Sequence, residues 1–599
     1  MGTIHIGEQI KQLREQYKIP RKTLIRGLCS EQMLFNIENG FSVPDKLLVD
    51  ILIQRLGKSP DKLEMILSYE MYKAERMRDL YEDLLEKGRS KKADYLLEKY
   101  MKHFKKSDRV QQMFYFRSKA YAAYRLNKQL DDAECYIKEA LNITLPEWER
   151  FKFDEYRIST VELENLLFYG RILWESKNLD KKCDAKKLFE VCKTYIDINF
   201  TDKEEHAKIY GKCVWLLARV YMEERAFDKA KGLCERAFMQ MRVYGILYFM
   251  LPLLEIMQEY EYELGRQREG DRYAAYYKAI KNLYNQYGRK GEFEDSIFRN
   301  CFQKAYHLDY EIIRLERIMR GYTQEDFIEG IYDAPESLSR IESRKVVPSE
   351  KNLEKMMQKL NLNNGRYQTF LITDSFEILE LNQRFNILLN RRMLLEAEAV
   401  LRLLQEKLDI SDKNNQRMMQ CNENMINLLE RREAYEVILE NAKKSLEETY
   451  MLSRENQRAP MELEVNLLVQ ITLALDELGR KEEEIELYKF ALENMKHSKV
   501  HIRHRYRSYS VLSTNLAIET RSVELAIKNI KYALECGKLN SLYLNNMLIA
   551  CSLDKCEANL LDLKRALKDT YYLCELAMNE VDRQNTLRFY EKKIGEPMF

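Results

Sequence analysis

The chain has 599 residues, with 98 Lys plus Arg against 96 Asp plus Glu and a net charge of +2. At roughly 150 residues per domain this is about four domains, so one compact domain is excluded, and the near-neutral balance makes any nucleic-acid surface local rather than global. Only 20 Gly and 9 Pro are present, which starves a β-rich fold of turn residues and predicts an all-α chain. The twelve cysteines, scattered from Cys29 to Cys574, contain no C-x-x-C pair, and Met1 to Ile6 has no basic stretch leading into an apolar core. The longest apolar run, Tyr244 to Leu254, is broken by Pro252 and is too short to span a bilayer. A cytoplasmic location with reduced thiols and no membrane partner is the expectation.

In chain order, residues 6 to 57 carry four short amphipathic helices, marked by Ile10 and Leu13, by Leu24, Ile25 and Leu28, by Leu34 and Ile37, and by Leu47, Leu48 and Ile51. Between the second and third, Gly27 accommodates a tight bend and Ser30 can cap the following helix, a helix-turn-helix arrangement. The exposed face of the third helix offers Glu31, Gln32, Met33, Phe35 and Asn36. Gln32 and Asn36 carry amides suited to adenine, while Arg14, Lys18, Arg21, Lys22 and Arg26 are the candidates for phosphates.

Beyond this head the helices recur as hairpins. Tyr124, Leu130, Ala133 and Ala140 share their spacing with Tyr221, Phe227, Ala230 and Ala237, and the alanine pair returns as Ala526 and Ala533. Alanines seven apart fall on one helix face and let neighbouring helices approach closely. Leu475 to Leu492, with Leu478-Gly479 at a turn, reads as a further unit. A second head follows the first array: Tyr322 to Phe327 opens its second helix with Thr323 as N-cap, Asp333 to Glu336 reads as a capping box with Pro335 in the first turn, and Leu338 to Glu342 is the third helix. Its face offers Glu336, Ser337, Ser339 and Arg340, flanked by Arg344 and Lys345, while Glu325, Asp326 and Glu329 precede it. The turn is one residue longer than in the first head, and Arg344 stands where Gly40 stood.

The halves repeat one another. Ile37-Glu38, Val43-Pro44 and Leu56 return as Ile341-Glu342, Val347-Pro348 and Leu360, each shifted by 304. The expected domains are 1–66 and 306–365 for the heads and 67–305 and 366–599 for the arrays. Asn386, Asn427, Asn466, Asn515 and Asn545 fall on successive helices of the second array, where side chains that both donate and accept can satisfy the backbone of an extended peptide. Corresponding helices of the first array are aromatic, with Tyr115, Tyr121, Tyr169, Tyr210 and Trp215. His497, His501 and His504 share a helical spacing, but the surrounding Lys496, Lys499, Arg503, Arg505 and Arg507 disfavour a cation. That strip is better suited to accepting a peptide carboxylate or to staying solvated, and no metal is expected. No P-loop, H-E-x-x-H, G-x-S-x-G or dinucleotide fingerprint occurs, so neither enzyme activity nor a cofactor is expected.

The heads resemble the Xre/Cro-type DNA-binding domain, whose recognition helix ends in an Ile-Glu dipeptide before a turn and a Pro, and the hairpins resemble tetratricopeptide (TPR) repeats. Together they resemble the peptide-pheromone receptors of Gram-positive bacteria, the RRNPP group. The resemblance implies a sequence-specific transcription regulator of quorum-sensing type, whose array dimerises and binds a short peptide on its concave face. Members ordinarily have one head and one array. The doubled chain is therefore expected to form an intramolecular pseudo-dimer, with further oligomerisation left open, and to meet double-stranded DNA through two unequal half-sites. The alternative is a TPR-type interaction scaffold with vestigial heads.

Overall fold

The computed structural model describes residues 4–105, 107–150, 153–288, 295–301, 306–362, 366–453, 458–553 and 560–599. The chain is all-α, with 29 α-helices among the described residues. The first head comprises α1 (Ile6–Gln16), α2 (Arg21–Ile25), α3 (Glu31–Glu38) and α4 (Lys46–Arg55). The first array runs from α5 (Tyr69–Glu86) through α6 (Ser90–Met101), α7 (Arg109–Ala122), α8 (Leu130–Thr144), α9 (Thr160–Glu175), α10 (Leu179–Asn199), α11 (Lys203–Glu223), α12 (Phe227–Tyr244) and α13 (Met250–Glu263) to α14 (Gln267–Tyr287). The second head comprises α15 (Asp309–Met319), α16 (Gln324–Ile328), α17 (Pro335–Glu342) and α18 (Glu350–Lys359). The second array runs from α19 (Phe376–Asn390) through α20 (Leu394–Lys407), α21 (Lys413–Glu430), α22 (Tyr435–Glu447), α23 (Glu462–Glu477), α24 (Lys481–Met495), α25 (Tyr506–Thr520), α26 (Val523–Glu535), α27 (Leu542–Leu553) and α28 (Leu560–Leu576) to α29 (Glu580–Ile594).

Within the heads the local signals act as their chemistry requires. Ser30 accepts from the Met33 amide at 3.2 Å and Thr323 from the Asp326 amide at 3.1 Å, satisfying first-turn donors. The Asp333 capping box does not form: the N-cap of α17 is Ala334, without a side-chain bond, and Pro335 at the first helical position leaves one donor fewer to satisfy. The glutamate of each Ile-Glu pair is an internal lock. Arg14 Nε donates to Glu38 and Arg317 Nε to Glu342, both at 2.6 Å, which ties the third helix of each head to its first.

The heads are seated differently. Every residue of α4 is buried, and Arg55 crosses into the first array, donating to Glu162 on α9 and to the Thr144 carbonyl. In α18 only Met356 and Met357 are buried, and Lys359, at the position of Arg55, reaches carbonyls of its own head.

In both arrays Ala133, Ala140, Ala230, Ala237, Ala526 and Ala533 are buried at helix crossings. The arrays meet through α14 against α28 and through a reciprocal backbone pair, Leu247 N to Gly537 O at 2.8 Å and Leu539 N to Gly245 O at 3.0 Å. Gly245 and Gly537 each sit at φ +64°; an added Cβ would strike Asn540 from the first and Tyr248 from the second. The contact thus joins matching turns of the two arrays, as a contact across a two-fold axis does.

Composition leaves no room for strands, yet β1 (Met65–Leu67) and β2 (Tyr306–Leu308) pair in parallel. They are three-residue stitches between the exit of the first head and the entry of the second, too short to leave a compositional trace. Residue 66, expected as a boundary, lies inside β1, and residues 305 and 365 lie outside the described residues.

Candidate functional site

On α3, Glu31, Gln32, Met33 and Phe35 are exposed and Asn36 is half-buried. Gln32 Nε2 donates to Asn36 Oδ1 at 3.0 Å, so the two amides form one polar unit on the outer face. The face is more apolar than its polar pattern implied: Met33 and Phe35 are each 40% exposed and Phe41 is 74% exposed, with the Phe35 and Phe41 rings 6.5 Å apart. On α17, Ser339 and Arg340 are exposed, Ser337 is half-buried, and Lys345 just beyond is exposed.

Tertiary partners remove several of the expected phosphate contacts. Arg14 is buried on Glu38, and Arg21 donates to the same carboxylate at 2.6 Å while lying over Phe35. Arg26 stacks on Tyr156 at 4.2 Å and pairs with Glu147 at 3.2 Å, both in the first array. Arg344 lies against the Tyr69 ring of α5. Lys18, Lys22 and Lys345 remain exposed. The diverted arginines share a physical trait: a planar guanidinium stacks and forks where a lysine stays hydrated.

Against the second array lies a cavity of about 1280 Å³, whose lining also takes in Asp61, Lys62 and Glu64 after the first head and Glu204, Val243 and Tyr244 of the first array. Asn386, Asn466 and Asn515 line it. Asn515 donates to Tyr488 Oη at 3.1 Å, and Asn386 accepts from Arg507 at 3.1 Å. The expected ladder is otherwise corrected. Asn545 is 1% exposed and is spent on Asn529, Thr514 and the Ser541 carbonyl, because a buried amide must pair internally. Asn427 does not line the cavity: Met425 and Leu429, two residues to either side of it on α21, do, which leaves Asn427 on a different face of the helix. Further amides do line it: Asn382 and Asn390, one turn either side of Asn386, and Gln470, one turn after Asn466. An i, i+4 search around each predicted asparagine would have found them.

The cavity is closed on one side by the second head. Tyr310, Leu315, Ile318 and Met319 of α15 face it, with Ile318 and Met319 half exposed. Of the basic strip, Arg505 pairs with Glu311 at 3.6 Å and Arg507 with Glu462, so two of its cations are already neutralised. The three histidines diverge. His497 is exposed, the His501 ring accepts from the Arg503 amide at 3.2 Å, and His504 is buried against Asp79 of α5 at 3.2 Å. Partial desolvation of its ring, with Arg76 and His504 close by, pushes His501 down to about 4. Burial alone would raise Asp79, but Arg503 and His504 hold it well below the usual carboxylate range. This cluster is a charged seam between the arrays. Among the described residues the convergent set of possible metal ligands is Asp476, Glu484 and Glu519. The Lys481 ammonium pairs with all three carboxylates, supplying the charge a cation would bring.

No protein-family model matches the chain, and no curated protein matches it. Among solved structures it is similar to the crystal structure of Bacillus thuringiensis PlcR in complex with the peptide PapR7 and DNA. The identity is 17%, the alignment covers 48% of this chain and 99% of that one, and the TM-score is 0.30. A likeness at that level carries no weight beside the geometry of this chain's own residues. No helix of the described residues is long and apolar enough to cross a membrane.

Proposed function

We propose that the chain is a sequence-specific, DNA-binding transcription regulator of the peptide-responsive kind, controlled by a short peptide held in the second array and working in the cytoplasm. The observation that carries this reading is the cavity itself. It is lined by the amides of Asn382, Asn386, Asn466 and Asn515, which can donate to and accept from a peptide backbone, and it is walled by the first helix of a head whose third helix has an exposed outer face. A peptide lying there would touch α15 directly, so occupancy and the position of α17 are coupled by contact. The reciprocal Gly245 and Gly537 turns support an intramolecular pseudo-dimer that carries both heads on one side. The heads would then meet successive major grooves about 34–36 Å apart. Their half-sites would be unequal, because Gln32 and Asn36 in the first head answer to Glu336 and Arg340 in the second.

Selection of duplexes from a randomised library by the full chain tests the reading. Enrichment of a two-part, non-palindromic site, with Gln32→Ala and Arg340→Ala each relaxing one half by about 1–3 kcal/mol, is the expected result. Binding that stays equal for enriched and random duplexes across a salt series would end it.

A further inference from the structure

The groove of the first array is filled by its own chain. The non-helical segment Asp295 to Cys301, which follows α14, lies against α7, α9 and α11 with Ser296, Ile297, Phe298, Arg299 and Cys301 all buried. Asp295 is held between Arg125 and Arg171, the latter at 2.7 Å. Phe298 inserts between Tyr121 and Phe168, with ring centroids 5.2 and 5.1 Å away, under the Arg117 guanidinium at 4.0 Å. Lys212 donates to the Ile297 carbonyl at 2.9 Å and to the Asn300 side chain at 2.8 Å, and Asn300 donates to Glu164 at 2.7 Å. These are the contacts of a bound peptide: backbone capped, an aromatic anchor seated, polar ends paired.

The two arrays can be superposed in sequence through their helix caps. Asp108 and Asp412 cap α7 and α21, Glu162 and Glu464 occupy the same place in the first turns of α9 and α23, and the left-handed Arg225 and Arg521 end α11 and α25. In that register Arg125 and Arg171 are answered by Leu429 and Leu473, Arg117 by Cys421, Glu164 by Asn466 and Lys212 by Ser508. The anchor's neighbours Tyr121 and Phe168 are answered by Met425 and Gln470. Every one of these counterparts lines the open cavity of the second array. The position that segment 295–301 fills in the first array is thus the position that is empty in the second, with each charged contact exchanged for a neutral one.

We infer that segment 295–301 is a built-in ligand of the first array, and that the second array takes, in the same place, an uncharged peptide of about seven residues anchored by a large apolar side chain near its middle. The class follows from desolvation at the counterpart positions: a carboxylate held where Asp295 is held would meet Leu429 and Leu473 in place of Arg125 and Arg171 and lose water without gaining those partners, whereas a neutral backbone finds Asn466 and Ser508. The inference rests on the peptide-receptor reading above and adds to it the charge and pose of the ligand.

The test is capture of synthetic seven-residue peptide pools by the full chain, one pool neutral, one acidic and one basic, alongside the peptide Asp-Ser-Ile-Phe-Arg-Asn-Ala, which copies the segment with Ala in place of its cysteine. Enrichment from the neutral pool of sequences with a central aromatic or large aliphatic residue is expected, with the segment peptide binding more weakly. A Leu473→Arg chain, and separately a Leu429→Arg chain, should shift preference about tenfold toward acidic members, as one charge-assisted hydrogen bond would. Folding of each variant is checked by its helical circular dichroism. Enrichment of acidic or basic peptides by the unmodified chain overturns the ligand class while leaving a peptide receptor in place. Failure to enrich any pool overturns the receptor reading and this inference with it.

Discussion

In the first half of the chain Arg55 leaves its head, enters the array and is gripped by Glu162, and the groove of that array is filled by segment 295–301. In the second half Lys359 stays within its own head, Glu464 is taken by Arg458 instead, and the groove is open. The repeated plan therefore yields one half with a filled groove and one half with an open one. A handful of exchanges suffices: a guanidinium that reaches across against an ammonium that does not, and charged groove walls against amides and leucines. Both heads keep the same internal lock, Arg14 with Glu38 and Arg317 with Glu342, so each is a formed four-helix unit whatever its seating.

Removing the grip should separate the two halves most. Glu162→Ala would leave Arg55 buried without its carboxylate and should cost about 3–5 kcal/mol in urea unfolding, because an unpaired buried charge cannot be resolvated. Glu464→Ala frees the partly exposed Arg458 and should cost only about 1 kcal/mol. Equal losses would mean that the two heads are seated alike after all.

Next in size is the plug. Phe298→Ala empties the space between Tyr121 and Phe168 and should cost about 3 kcal/mol, with faster proteolysis at segment 295–301, while peptide capture by the second array stays unchanged. Loss of capture in this variant would show that the two grooves are not independent.

The smallest effect concerns the contact between the arrays. Asp569 on α28 accepts from Asn282 on α14 at 2.8 Å, and burial pushes its carboxyl up to about 6. A carboxyl raised above its unfolded value of about 3.9 contributes stability that is fully present below that value and is lost as pH rises through 6. Unfolding midpoints compared between pH 4 and 7 should show Asp569→Asn more stable than the unmodified chain at pH 7, with the difference closing toward pH 4. A constant difference across that range would place the carboxyl in water.

Much of the architecture is local and legible for that reason. Ser30 and Thr323 cap helices because a hydroxyl reaches an amide two or three residues on, and the alanine pairs mark crossings because only a small side chain lets two helices approach. The third-helix faces follow from the same short-range periodicity. Arg21, Arg26 and Arg344 escape such a reading because each partner is set by the packing of elements: Glu38 across the head, Tyr156 and Glu147 in the neighbouring array, Tyr69 beyond the second head. Asn545 departs from the expected ladder for the same cause, its amide being absorbed by Asn529 and Thr514.

The all-α class, the two heads, the hairpin repeats and the 304-residue recurrence are written in the order of residues, since helix periodicity, caps and turn residues act within a few positions of one another. Packing of whole elements settles which head is gripped, that β1 and β2 stitch the halves together, that segment 295–301 closes one groove, and that the other remains open beneath α15. Those outcomes depend on which long side chain meets which carboxylate or ring across more than a hundred residues, and no pattern of spacing encodes that meeting.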